Sequence, residues 1–375
     1  MIENQLLKQF KNQFRTHGRV FSAPGRINII GEHTDYNQGF VLPAIIKQRF
    51  YVVIAKRSGL DPFPIVRIVS SKTNEVSEFN LFTPPPKQWM KYFWGVMKEM
   101  EKRGKEFTSI DVFIYSEIPV GAGLASSAAL TTAFGKALNA VFNLDFSLFE
   151  LAEIGQATEH NYIGVKCGLM DQFVSAFGIP ETFLKIDCQT YDYEYIPFHH
   201  PEYRMVLFNS RVKHNLASSE YNLRRESCEL TVSILQQFDP EIQSLRDVSL
   251  PFLNEHKDLL TPIDFKRAQY VLEENNRVIN LCEDLKNNDL SSLEYLLYAS
   301  HEGLRDQYQV SCPELDFLVE AAQQTPGIIG ARMMGGGFGG CTLNVVEANQ
   351  FDQFIKVMCE KFEKKYLKTA IFYQI

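Results

Sequence analysis

The run Pro119–Leu130, PVGAGLASSAAL, is the stretch on which the reading of the fold turns. Its glycines permit a tight turn whose backbone amides can converge on an anion. The small serines then open a helix that sets Leu130, Phe134, Leu138, Val141 and Phe142 on one face. Taken alone, the run is read first as a glycine-rich turn capped by Ser126 or Ser127, because short glycine motifs recur by chance.

Outward from this run, strand-like segments fall at Arg19–Ile30, Phe50–Ala55, Ile65–Ser70, Ile110–Ile118 and Thr182–Asp187, with a second helix predicted over Ser147–Tyr162. After Pro201 a strand at Arg204–Asn209 leads into helices at Ala217–Phe238, Asp264–Lys286 and Ser291–Asp306. Strands near Ile328–Met333 and Cys341–Val346, a helix at Asn349–Phe362 and a strand at Ala370–Tyr373 complete an α+β pattern in both halves. The pattern predicts two domains, 1–200 and 201–375, with Thr83-Pro84-Pro85-Pro86 as a rigid surface connection. An amphipathic helix, charged throughout, is expected at the N-terminus.

Composition narrows the function. At 45% hydrophobic and 22% charged over 375 residues the chain can bury two cores, which excludes disorder. A net charge of -7 without a basic half argues against nucleic acid as partner. Seven cysteines scattered singly suggest neither a zinc site nor a disulfide framework, and fit a reducing cytoplasm. With no apolar run approaching about 18 residues and no leader-like N-terminus, neither export nor membrane insertion is expected.

Three further segments carry chemistry. Gly330–Cys341, GARMMGGGFGGC, formally contains GxGxxG, but strand-like sequence follows where a dinucleotide site needs a helix. A flexible glycine loop between two strands, closing against another domain's ligand, suits it better than a β-bulge or a hairpin connection. Ala23–Pro43, APGRINIIGEHTDYNQGFVLP, packs Arg26, Glu32, His33, Asp35, Tyr36 and Asn37 into a dozen residues. Carboxylates, an imidazole and an amide suit a polyhydroxylated ligand. A metal site and a charged surface turn are the competing readings, and the HExxH spacing is absent. In CGLMDQF, Asp171 stands in apolar surroundings as a helix cap, a buried acceptor or a general base for phosphoryl transfer. GxxxxGK[ST], HRD and DFG do not occur, which removes the two commonest phosphate-transfer architectures. Arg224 and Arg225 read as the solvated face of a helix.

Taken together, the segments resemble galactokinases of the GHMP kinase superfamily. GRINIIGEHTDYNQGFVLP is similar to the galactokinase signature, PVGAGLASSAAL to the superfamily's phosphate loop and GARMMGGGFGGC to its third motif. CGLMDQF and HNLASSEYNLRRESC are similar to further galactokinase segments, so the likeness runs from about Arg19 to Leu343. It implies a domain like ribosomal protein S5 domain 2, a ferredoxin-like C-terminal domain and an active site in the cleft between them. It also implies transfer of the γ-phosphate of ATP to the C1 hydroxyl of galactose, with Mg2+ as cofactor.

Carried over residue by residue, Asp171 is the catalytic aspartate and Arg26 the arginine beside the reacting hydroxyl. Glu32, His33, Asp35, Gly168 and Tyr221 are sugar contacts. Gly121, Ala122, Gly123, Leu124, Ala125, Ser126 and Ser127 hold nucleotide phosphate, and Ser126 or Ser127 with Glu159 ligates magnesium. Ala125 and Lys166 depart from the family's commoner serine and proline. A sister kinase acting on N-acetylgalactosamine, and a non-catalytic galactose and ATP sensor that regulates transcription, are the alternatives. Galactose and ATP are the expected partners of a monomer.

Overall fold

The computed structural model describes every residue except Met1, Ser58, Leu60, Val120 and 213–216, and leaves the side chains of Ala217 and Ser218 undescribed. Part of the HNLASSEYNLRRESC stretch, from His214 to Leu216, and Val120 of the glycine run therefore lie outside the described residues.

The chain runs through α1 (Ile2–Phe14), β1 (Arg19–Asn28), β2 (Phe40–Val41), β3 (Pro43–Lys56), β4 (Ile65–Ser70), β5 (Val76–Asn80), α2 (Met90–Lys102) and β6 (Ile110–Ser116). Next come α3 (Ser126–Phe142), α4 (Leu148–Thr158), α5 (Met170–Phe177), β7 (Thr182–Asp187), β8 (Tyr193–Pro197) and β9 (Tyr203–Asn209). The remainder is α6 (Ala217–Leu235), α7 (Leu250–Glu255), α8 (Pro262–Lys286), α9 (Leu293–Glu302), α10 (Pro313–Gln323), β10 (Ile328–Met334), β11 (Cys341–Glu347), α11 (Phe351–Tyr366) and β12 (Ile371–Gln374).

These elements form two compact units that interleave in sequence. The first is Met1–Arg26, Ile46–Val120 and Leu124–Phe177, and the second is Ile27–Ile45, Gly121–Gly123 and Gly178–Ile375. A single boundary near residue 200 is what the sequence pattern suggests, and the units divide differently. Strand pairing is the reason: β2 forms antiparallel pairs with β7, Phe40 with Asp187 and Val41 with Ile186, which draws the early segment into the later unit.

In the first unit the sheet order is β1-β3-β6-β4-β5, with β4 parallel to β6. Period-two burial in β4 and β5 marks strands with one covered face. As its amphipathic pattern predicts, α1 buries Leu6 and Phe10 against Tyr51, Val53, Val69 and Phe113. Helices α2 to α5 pack on one another, and the Phe93 and Phe134 rings meet edge to face at 4.9 Å. A capping box, Ser147 with Glu150, starts α4. The helix then departs from the predicted regular run to Tyr162: Glu159–Ile163 form a π-helical turn, which widens the coil where Glu159 projects.

In the second unit, β10-β11-β9-β12 is fully antiparallel. With helices preceding β10 and β12, this is the strand order of a ferredoxin-like sheet. Leu318, Ala322, Phe354, Met358 and Phe362 of α10 and α11 pack with Val206, Phe208 and Val346 of the sheet. A separate sheet, β2-β7-β8, lies against α8.

The glycine-rich run 335–340 joins β10 to β11 as a hairpin loop, so strand and not helix follows it, as the sequence implies. Its close approach is to its own unit: a Cβ on Gly337, at φ +78, would overlap the Val310 carbonyl, which accepts a 2.7 Å bond from the Phe338 amide. Gly337→Ala is therefore expected to destabilise the fold by at least ~2 kcal/mol, read as a lower midpoint in urea or thermal unfolding.

Candidate active site

In the first unit, β1 ends by delivering Arg26 to the start of α5. The Arg26 Nε–H donates to Asp171 Oδ1 at 2.7 Å and the Nη2 group to Oδ2 at 2.9 Å, a bidentate fork. The arginine side chain is 6% exposed and the aspartate 28%, so a buried guanidinium orients a carboxylate that still faces solvent. A carboxylate has about four acceptor positions, and Arg26 occupies two. Helix α5 follows from the same burial pattern, with Met170, Phe173 and Val174 buried behind Asp171.

Glu159 lies near by. It is buried, and burial pushes its carboxyl up to about 7; a hydrogen bond with Ser127 partly offsets this, and the charge of Asp171 adds to the rise. The Gln172 amide reaches Glu159 Oε1 at 3.4 Å. Ser126 and Ser127 occupy the first turn of α3, whose N-cap, Ala125, is left-handed at φ 53 and makes no side-chain cap. The first amides of α3 thus keep no capping side chain there. The serines are not the caps that the plain reading offered. Gly121 and Gly123 also have positive φ, and the Leu124 carbonyl accepts from the Arg26 amide at 3.2 Å, tying the loop to β1. Gly168, buried, precedes α5, and the exposed Lys166 stands two residues before it.

In the second unit, the acidic loop is closed by Thr34, whose hydroxyl donates to the carbonyls of Gly31 at 2.8 Å and Phe40 at 2.6 Å. Glu32 is 2% exposed; its Oε1 accepts from the Gly335 amide at 2.7 Å and lies 3.2 Å from Arg332 Nη2. Arg332 itself is wholly buried and donates to the Asn28 and Ile29 carbonyls at 3.2 and 3.0 Å. His33 is buried too, at φ 62, in a box of Tyr36, Tyr221 and Tyr308 with ring centroids 5.8, 5.1 and 4.9 Å away. Burial, with smaller contributions from Arg224 and Arg332, takes the imidazole down to about 3, so it is neutral. Asp35 and Tyr221 are half-buried. The glycine loop meets this set directly, since a Cβ on Gly336 would sit 3.2 Å from the Tyr221 ring.

The structure thus brings Arg26, Asp171, Glu159 and Ser127 together in one unit and Glu32, His33, Asp35 and Tyr221 together in the other. Sequence reasoning passed over the supports. Helix α8 holds the acidic loop through Tyr270, whose hydroxyl donates to the Glu32 carbonyl at 3.0 Å, through Glu274, which accepts from the Gly31 amide at 2.9 Å, and through Asn275, which accepts from the Phe40 amide at 2.9 Å. Burial pushes the Glu274 carboxyl up, but Arg277 and Arg332 outweigh it and hold it below its usual value. Arg224, read as solvated, is buried and donates to the carbonyls of Tyr308 at 3.1 Å and Gln309 at 2.6 Å. A lone arginine among apolar strand residues was the available signal for Arg332.

Fold and sites together define a GHMP kinase. The N-terminal domain of GHMP kinases matches residues 91–179, their C-terminal domain residues 281–364, and the galactokinase galactose-binding signature residues 8–56. Galactokinase of Thermotoga neapolitana is 40% identical, with 94% of this chain and 96% of that protein aligned, and galactokinase of Chloroflexus aurantiacus is 41% identical over 92% and 88%. The crystal structure of Lactococcus lactis galactokinase complexed with galactose superposes with a TM-score of 0.93 at 34% identity, covering 100% of this chain and 97% of that one. Mevalonate kinase of Methanococcus jannaschii, at 16% identity and a TM-score of 0.65, shares the fold. The chain belongs to the galactokinase family of ATP-dependent sugar kinases.

Glu159 gives a pH signature. Its folded-state value, about 7 against an ordinary 4.5, means that the folded form holds the proton more tightly. Its contribution to stability is complete below pH 4.5 and is lost as pH rises to about 7. Relative to Glu159→Gln, metal-free wild-type protein is expected to lose up to ~3 kcal/mol across that window, measured as the difference in urea-unfolding free energy at each pH.

Proposed function

We propose that this chain transfers the γ-phosphate of ATP to the C1 hydroxyl of galactose, giving galactose 1-phosphate and ADP. The observation that carries the reading is the Arg26–Asp171 fork: a half-open carboxylate whose orientation is fixed by a buried arginine. Asp171 uses its remaining acceptor positions to align the sugar hydroxyl and take its proton, and Arg26 steadies the charge of the transferring phosphoryl group. Galactose is recognised by Glu32, Asp35, Tyr221 and Gly168, with His33 in the same loop. The amides of Gly121–Ser127 receive the ATP phosphates.

The oxygen donors at Ser127 and Glu159 suit a hard divalent cation. A buried carboxylate that resists ionisation beside a hydroxyl group gains most from one, and Mg2+ needs only one or two protein ligands when phosphates and water complete its shell. Among the described residues no cluster of three or more His, Cys, Asp or Glu side chains could hold a metal, so the protein's share of the shell is small. Glu159 with Ser127 or Ser126 would hold Mg2+, which would supply charge neutralisation for the ATP phosphates. We place the enzyme in the cytoplasm, on the strength of seven cysteines scattered singly along the sequence, without the spacing of a disulfide framework.

Asp171→Asn is expected to lower kcat by two to four orders of magnitude while galactose affinity changes less than about threefold, measured by ADP release and by calorimetric titration. Near-normal turnover would remove Asp171 from its role. In the same assay on wild-type protein, galactose is expected to be phosphorylated and N-acetylgalactosamine refused; binding of galactose and ATP without ADP formation would make the chain a sensor.

A further inference from the structure

Four polar side chains of the second unit stand in single file. Cys228 Sγ lies 3.2 Å from the Tyr308 hydroxyl, Tyr308 lies 2.7 Å from the Tyr36 hydroxyl, and Tyr36 lies 2.7 Å from His33 Nδ1. On the far side of the ring, His33 Nε2 is 3.2 Å from the Gly336 carbonyl oxygen. Cys228, Tyr308 and His33 are buried, and Tyr36 is half-buried.

Proton counting fixes the direction of every bond. A carbonyl oxygen only accepts, so the neutral imidazole carries its proton on Nε2. Nδ1 must then accept, which commits the Tyr36 proton. The Tyr36 oxygen accepts from Tyr308, and the Tyr308 oxygen accepts from the Cys228 thiol. Both ring nitrogens are spent, and the Tyr221 and Tyr308 rings pack against the imidazole at tilted angles, with centroids 5.1 and 4.9 Å away. The Asn37 side-chain amide also donates to the His33 carbonyl at 2.8 Å, which braces the left-handed turn at His33.

We propose that His33 is a positioning residue and not a side-chain sugar ligand, its tautomer and its loop being set by a one-way hydrogen-bond chain from Cys228 through Tyr308 and Tyr36. The inference rests on the reading of the Glu32–Asp35 loop as the galactose site. The chain fastens that loop on one side to α6 through Cys228 and on the other to the glycine loop through Gly336. Removing a link loosens the frame in which Asp35 is displayed without touching the Arg26–Asp171 pair.

The test uses the full chain. Tyr36→Phe strands a buried acceptor, and is expected to raise KM for galactose about tenfold with kcat and KM for ATP within twofold. Tyr308→Phe and Cys228→Ala, which each strand a hydroxyl oxygen that keeps its own proton donation or neighbours, are expected to raise it two- to fourfold; Cys228→Ser, which keeps a donor, restores the wild-type value. In protein with 15N-labelled histidine, assigned with His33→Gln, His33 is expected to show a protonated Nε2 and a bare Nδ1 that shifts towards a free imine nitrogen in Tyr36→Phe. A protonated Nδ1, or a KM for galactose unmoved in Tyr36→Phe, overturns the inference. Asp35→Asn separates the two failures: if it weakens galactose binding while Tyr36→Phe does not, the sugar loop stands and the inference alone falls. If Asp35→Asn leaves KM for galactose unchanged, the sugar-loop reading fails and the inference falls with it.

Discussion

The buried ion pair of Arg332 with Glu32 is the constraint from which the second unit's chemistry follows. A guanidinium with no solvent exposure needs compensating charge and acceptors, and here Nη1 donates to the Asn28 and Ile29 carbonyls while Nη2 stands in ionic contact with the Glu32 carboxylate. Those partners are the entrance to the acidic loop. The same Glu32 oxygen takes the Gly335 amide, so strand β10, its glycine hairpin and the loop are pinned at one point. Replacing either charge singly would leave the other buried and unmatched, which costs far more than the pair contributes.

The first unit solves a related problem in the opposite way. Arg26 is also buried, but its partner is left partly open, so the Asp171 carboxylate keeps acceptor positions free where Glu32 is enclosed. Glu159 is a third case: a buried acid beside a hydroxyl group, with another carboxylate adding to its discomfort. Three acids thus stand in three environments, set apart by burial and partner.

Much of this was legible in the chain. Strands with alternating or continuous apolar runs, such as β4 and β9, and helices with a clear apolar stripe, such as α3, follow from periodicity. The acidic loop and the aspartate of CGLMDQF were found because polar residues crowded together in apolar surroundings demand a reason. What escaped notice depends on contacts distant in sequence. Helix α2 was not read, since MKYFWGVMKEM mixes aromatic, strand-favouring residues with helix formers. The two-residue strand β2 exists only because β7 is there to pair with it. Tyr270, Glu274 and Asn275 look like ordinary residues of a long helix, and nothing local says that they carry a loop more than 200 positions away. The π-helical turn at Glu159 likewise leaves no mark on composition.

The interleaving of the units bears on how the chain is made. Strand β2 leaves the ribosome about 140 residues before β7, the strand that completes it. At typical synthesis rates that gap lasts on the order of ten seconds. During it the segment Ile27–Ile45, with Ile29, Ile30, Val41 and Leu42 destined for burial, has no partner to cover it. The nascent polypeptide therefore carries its acidic loop as exposed, adhesive sequence, and its safe passage depends on how quickly translation reaches the seventh strand.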